Sequence, residues 1–203
     1  MTTTKTLEKL YTIQAAASEH YRAAMLNEFI EELKAELLTE EAKKNGKTQA
    51  KKAAENILKQ LKNTAFAIGA FTGADGLQYI GGCYSAVRLS DPLPVTPLPY
   101  NAEPVDFKKF IDAASENAGE PLNLPTIAEL SAHIKEAKAR KEKNIYYDFG
   151  ADLPLVDARL LLDVLQVLPG CACIPSKRGV LAALYFKADN GDGLLLPVRR
   201  AQK

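Results

Sequence analysis

The chain has 203 residues, of which 47% are hydrophobic and 25% charged, and its formal net charge is +1. That length allows one domain, or one domain with an appendage, and enough apolar material for a core without covalent staples. The near-neutral balance excludes a global pull towards nucleic acid or acidic membrane, so any such attraction must come from local clusters of charge.

Residues 5–38 contain neither Gly nor Pro and carry Leu7, Leu10, Tyr21, Met25, Phe29, Leu33 and Leu37 at helical spacing, which predicts one long helix. Its other faces are acidic, with Glu28, Glu31, Glu32, Glu36, Glu40 and Glu41. Asn45-Gly46 supplies a break. A second helix then follows from Ala50, Ala53, Ala54, Ile57, Leu58 and Leu61, backed by Lys47, Lys51, Lys52, Lys59 and Lys62. Together these predict a helical hairpin over residues 1–63, ahead of an α+β domain over residues 64–203.

Residues 65–71, 77–80 and 83–89 read as short strands separated by the turn at 73–76 and by Gly81-Gly82, where a bulge or bend is expected. Pro92, Pro94, Pro97, Pro99 and Pro104 make the next stretch a loop, too rich in proline for an inner strand. Residues 105–114 have helical spacing. Pro125 and Thr126 open a longer helix to about residue 142. Residues 145–149 are a strand, and 156–168 a helix stopped by Pro169-Gly170. Strands follow at 171–174, 180–188 and 193–198, the last two joined by an Asp-Asn-Gly-Asp-Gly turn. Strands do not alternate with crossover helices, so the expected class is α+β, an antiparallel sheet with helices packed on one face.

No apolar run approaches the roughly 20 residues of a membrane span. The polar start of the chain lacks an apolar signal core, and three cysteines do not make a complete disulfide framework. The expectation is a cytoplasmic protein with no membrane contact. Cys171 and Cys173 share one face of a strand, but no C-x-x-C or nearby His completes four zinc ligands, and buried apolar cysteines are expected. Asp148 and Asp152 flank Gly150 and read as loop caps. His20 and His133 have no nucleophile at a recognisable motif, and no phosphate-binding, zinc-protease or serine-hydrolase signature is present. The expectation is a non-enzyme without metal or cofactor.

Two segments echo each other: residues 104–112 and 155–163 both open on Val-Asp, carry a basic residue two positions after that Asp, and end on an apolar-Asp pair. Asp106 and Asp157 can each cap a helix. In the second segment, Leu160-Leu161-Leu162-Asp163-Val164-Leu165 leads into strands, and the chain closes on Leu194-Leu195-Leu196-Pro197-Val198-Arg199. This resembles the end of bacterial DNA sliding clamps, the DNA polymerase III β-subunit family, whose last module has an N-x-x-Y-L-L-D-V-L helix and an apolar ending with Pro and Arg. Asp163 and Leu165 match the helix motif, and Pro197 and Arg199 the ending. Upstream, either Asp75-Gly76 or Arg88-Leu89 matches the family's T-D-G-x-R-L region. The resemblance covers residues 153–199, and a clamp has three such domains where this chain has room for one.

The resemblance implies a single clamp-like domain acting as a DNA-associated or replication-associated binding module, of the kind a phage or mobile element carries. Its partners would be double-stranded DNA, replication proteins or further copies of itself. Lys51, Lys52, Lys59, Lys138, Arg140 and Lys141 are then the candidates for phosphate contact, which needs cations but no base reading. Leu196, Pro197 and Val198 are the candidate surface for a partner peptide. The rival reading is a protein–protein adaptor or inhibitor that keeps the fold without DNA and uses the acidic first helix as a partner surface or dimer seam.

Overall fold

The computed structural model describes residues 3–15, 19–59, 69–98 and 104–200. The chain divides into two compact units, residues 1–48 with 94–96, and residues 49–93 with 97–203.

The first unit holds α1 (Thr3–Gln14) and α2 (Glu19–Lys44). The expected single helix is therefore two. Residues 15–18 read Ala-Ala-Ala-Ser, with neither Gly nor Pro, so nothing in the sequence marks where α1 ends. α1 packs against the middle of α2, where Lys9 pairs with Glu32 and lies 5.9 Å from the centre of the Phe29 ring. Gly46 ends α2 with φ +67, and Lys47 N–H returns to Ala42 C=O at 2.8 Å, the left-handed helix termination that glycine permits.

The second unit begins with α3 (Thr48–Lys59), so this helix groups with the sheet and not with α1 and α2. The boundary expected at residue 63 falls instead near Thr48. Of the strand expected at 65–71, residues 65–68 lie outside the described residues, as do Leu61, Lys62 and Pro99. The remaining elements are β1 (Ala70–Thr72), β2 (Gln78–Gly81), β3 (Ser85–Leu89), α4 (Phe107–Glu116), α5 (Ile127–Ala139), β4 (Tyr146–Asp148), β5 (Leu155–Asp157), α6 (Ala158–Val167), β6 (Ala172–Ile174), β7 (Leu184–Ala188) and β8 (Gly191–Leu195).

β4 and β5 form a small ribbon. The other strands make one six-stranded sheet in the order β1-β2-β3-β8-β7-β6, every pair antiparallel. The fold is α+β with an N-terminal helical region, as the sequence leads one to expect. The pairing of β3 with β8 joins the two halves of the chain at the centre of the sheet.

The helices divide between both faces of this sheet, where one covered face was expected. Register places Phe71, Tyr79, Ala86, Leu194 and Tyr185 on one face, where they pack with Phe107, Ile111 and Ala114 of α4. Residues of opposite parity, Ile80, Val87, Leu89, Leu195, Leu184 and Phe186, are at most 1% exposed. α6 packs on β3 and β8 beneath them. The physical reason is that the central strands carry apolar residues at both parities, and the charged residues on the α4 face, Arg88 and Asp192, satisfy each other.

Helices α4, α5 and α6 each carry their own start signal. Asp106 Oδ1 accepts from Lys109 N–H at 3.1 Å, and Asp157 Oδ1 accepts from Arg159 and Leu160 N–H at 2.8 and 3.3 Å, so the echoed Val-Asp pairs cap α4 and α6 as expected. Thr126 and Glu129 form a reciprocal capping box on α5. Both sheet edges are covered by loop backbone: Leu98 N–H donates to Ala70 C=O at 2.7 Å, and Leu122 N–H donates to Cys173 C=O at 2.7 Å. Such cover protects edge strands from unwanted pairing.

Candidate groove beside helix α4

Helix α4 carries Phe107, Ile111 and Ala114 at i, i+4 and i+7, and all three are buried against the sheet. Phe107 reaches the sheet because Gly81 has no side chain, since a Cβ there would lie 2.0 Å from the ring. Phe110 falls on the flank of the same helix and is 54% exposed.

That flank forms one wall of an apolar groove of about 560 Å³. Ala86, Ala114 and Leu194 line its depth. Tyr84, Phe110 and Leu196, each 40% or more exposed, stand at its mouth. Alanines at 113, 182 and 183 leave the space that larger side chains would fill. Among the described residues that line it, only Arg178 is charged; this guanidinium is exposed and has no ion pair among the described residues.

On the same face of the sheet, α4 is tied down by a charged network. Arg88 Nε and Nη2 donate to Asp192 Oδ1 and Oδ2 at 2.8 and 2.6 Å, and Nη1 donates to Asp112 Oδ1 of α4 at 2.8 Å. Tyr185 Oη donates to Asp192 Oδ2 at 3.0 Å, and Tyr79 Oη to Asp75 Oδ2 at 2.6 Å. The bonds from Lys108 and Arg88 hold the Asp112 carboxyl below its ordinary range. Burial, helped by the bond to Asp75, pushes the Tyr79 phenol up to about 12. The pairings from Asp192 and Asp112 raise Arg88 above its already high value.

The residues singled out from sequence are distributed as follows. Leu196 lies at the groove mouth, and its N–H donates to Tyr84 C=O at 2.8 Å. Val198 belongs to a different, smaller depression of about 430 Å³ with Leu153, Leu155, Val180 and Leu181, and its N–H donates to Leu155 C=O at 2.7 Å. Pro197, half-buried, links the two and lines neither. The expected three-residue surface is thus split.

Of the six basic candidates, Lys52, Lys59, Lys138, Arg140 and Lys141 are exposed. Lys51 is corrected: it is 6% exposed and pairs with Glu55 one turn along α3, so its ammonium is turned away from solvent. Arg140 is engaged by Glu142 at 2.7 Å. Helix α5 packs on α6, and α3 is joined to α6 where Asn56 Nδ2 donates to Asp163 Oδ1 at 3.0 Å. Both basic stretches are therefore carried beside α6. Asp163 is 8% exposed, and burial pushes its carboxyl up to about 6.

Asp148 accepts from Gly150 N–H at 2.9 Å, the loop cap expected of it, and Asp152 joins Asp148 in raising the Arg200 guanidinium. Arg200 clamps Asp148 through two donors at 2.7 and 2.5 Å, and this pairing holds the Asp148 carboxyl down to about 2. His133 Nε2 bonds the Tyr146 carbonyl at 2.9 Å, and His20 is exposed on α2. Cys171 and Cys173 are buried free thiols, as expected from the strand, and burial pushes Cys171 up to about 11. Among the described residues no group of His, Cys, Asp and Glu could hold a metal ion, and no helix is long and apolar enough to cross a membrane.

Sequence reading missed Tyr84, Phe110 and Arg178. The period of α4 could have found Phe110, since Phe107, Ile111 and Ala114 define the buried face and leave Phe110 a quarter-turn off it. Tyr84 and Arg178 lie in turns far apart in the chain and carry no such mark. No protein-family model, no curated protein and no solved structure matches the chain.

Proposed function

We propose that this protein is a non-catalytic binding module whose ligand is a short apolar segment of a partner protein carrying a carboxylate. The groove between α4 and the β3–β8 centre of the sheet supports this reading. Its apolar floor, exposed aromatic walls and single unpaired cation fit a large apolar side chain beside an acidic group. A buried apolar anchor with a charged contact at the rim is the usual basis of peptide affinity.

A random-peptide display selection against the full chain tests it. The expected result is a family of peptides with a large apolar residue close to Asp, Glu or the terminal carboxylate. Phe110→Ser abolishes their binding, and Arg178→Glu weakens it by about tenfold or more. No enrichment, or enriched peptides that bind the Phe110→Ser variant equally well, overturns the reading.

A second reading follows the sliding-clamp resemblance: contact with duplex DNA through Lys52, Lys59, Lys138, Arg140 and Lys141. The attachment of both basic stretches to α6 favours it. Affinity for a short duplex would then fall steeply with salt, by a factor set by the number of phosphates neutralised. Absence of binding at low salt removes it.

A further inference from the structure

The helical unit carries a second apolar stripe that no described residue covers. On α2, Phe29 and Glu32 face α1 through their contacts with Lys9. One position on from these and from Met25 and Glu36, about 100° round the helix, lie Leu26, Ile30, Leu33 and Leu37. Leu26, Ile30 and Leu37 are 42%, 39% and 70% exposed, and Leu33 is half-buried. Their spacing of four, three and four residues is that of an apolar seam between helices. Two helices alone bury little: only Ile13, Phe29 and Ala42 are buried among the described residues of α1 and α2.

We infer that this stripe is a self-association surface, and that its occupant is α2 of a second copy of the chain, running antiparallel about a two-fold axis. Register and charge both favour this pairing. Centred between Glu31 and Glu32, antiparallel pairing sets Leu26 against Leu37 and Ile30 against Leu33, so every apolar position meets another. The same register brings Glu19 beside Lys44 and Arg22 beside Glu41 of the second copy. Neither Glu19 nor Lys44 has an ion pair among the described residues. In-register parallel pairing would instead align Glu28, Glu31, Glu32, Glu36, Glu40 and Glu41 with themselves. Antiparallel helices also set opposite dipole ends together. A two-fold interface is self-complementary by construction, and the resulting four-helix arrangement covers apolar surface that one hairpin leaves in water.

Sedimentation velocity of the full chain over a concentration series is the test, with circular dichroism to show that helicity is kept. The wild type sediments as a monomer–dimer equilibrium. Ile30→Lys raises its Kd by about two orders of magnitude, since an exposed apolar side chain is replaced by a charge that the seam must bury. Glu19→Lys and Lys44→Glu each weaken association, and the double variant restores it. These two residues stand at opposite ends of one helix, about 38 Å apart at 1.5 Å per residue, so restoration can only act between copies. A monomer at every concentration, a dimer indifferent to Ile30→Lys, or a double charge swap that does not restore association overturns the proposal.

Discussion

Arg88 and Asp192 face each other across the β3–β8 pair and make two parallel hydrogen bonds, Nε to Oδ1 at 2.8 Å and Nη2 to Oδ2 at 2.6 Å. Their side chains are 18% and 13% exposed, so this ion pair is partly withdrawn from water at the seam that joins the two halves of the chain. Asp112 ties α4 to the same guanidinium. Removing one partner of such a pair leaves the other charge desolvated. Asp192→Ala is expected to cost about 3 kcal/mol, a fall in Tm of roughly 6–12 °C for a chain of this size. Thermal unfolding checks it, and a loss within the range of an ordinary surface substitution would refute this role.

Gly191 has φ +153, and a Cβ there would sit 2.1 Å from the Arg88 carbonyl oxygen on the neighbouring strand. Gly170 also has a positive φ, +70, but nothing lies within 4 Å of its Cβ position. Gly170→Ala is expected to cost about 1 kcal/mol from backbone strain alone, and Gly191→Ala about 2–4 kcal/mol because the strand must also move. Denaturant unfolding of the two variants compares strain alone with strain plus close approach. Equal losses would contradict the account.

The pH dependence of stability has a predicted sign. The Asp163 carboxyl is pushed from 3.8 up to about 6 by burial, against the hydrogen bond from Asn56. A raised folded-state value favours the neutral form. The stabilising contribution is therefore complete below about pH 4 and is lost as pH rises through about 6. Asp163→Asn keeps an acceptor for Asn56 and cannot ionise. Its stability relative to wild type should improve between pH 4 and pH 7 by about 2–3 kcal/mol. Urea unfolding at the two pH values reads the difference, and a gap that does not change with pH would exclude this origin.

Cys173 is fully buried, Cys171 is 9% exposed, and burial raises both thiols above their ordinary range. Cys83 is half-buried in the β2–β3 turn beside the groove. A thiol reagent should label Cys83 in the native chain, and Cys171 and Cys173 only after unfolding, because reaction needs an accessible thiolate. Mass spectrometry after a short pulse would find the three modified in that order. Native labelling at Cys173 would contradict the packing of β6 on β7.

Local chemistry made much of this fold legible. Val-Asp before residues 107 and 158, Thr126 with Glu129, Asn45-Gly46 and Asp189-Asn190 all act within a few residues of themselves. Their caps and turns could be read without knowing the rest of the molecule. Strand composition likewise specified a sheet whose neighbours are not joined by crossover helices. What the sequence left undecided was every relation set by distant residues. That α1 stops at Gln14 and packs back on α2 depends on contacts such as Lys9 with Glu32 and Phe29. Two-sided burial of the sheet depends on β3 and β8 meeting across about a hundred residues of chain. The groove exists because Tyr84, Phe110, Arg178 and Leu196 are brought together by that meeting, and Lys51 loses its exposure for the same kind of reason. Capping and turn preferences are short-range and written in neighbouring residues, whereas burial is a property of surfaces that do not exist until the chain has closed on itself.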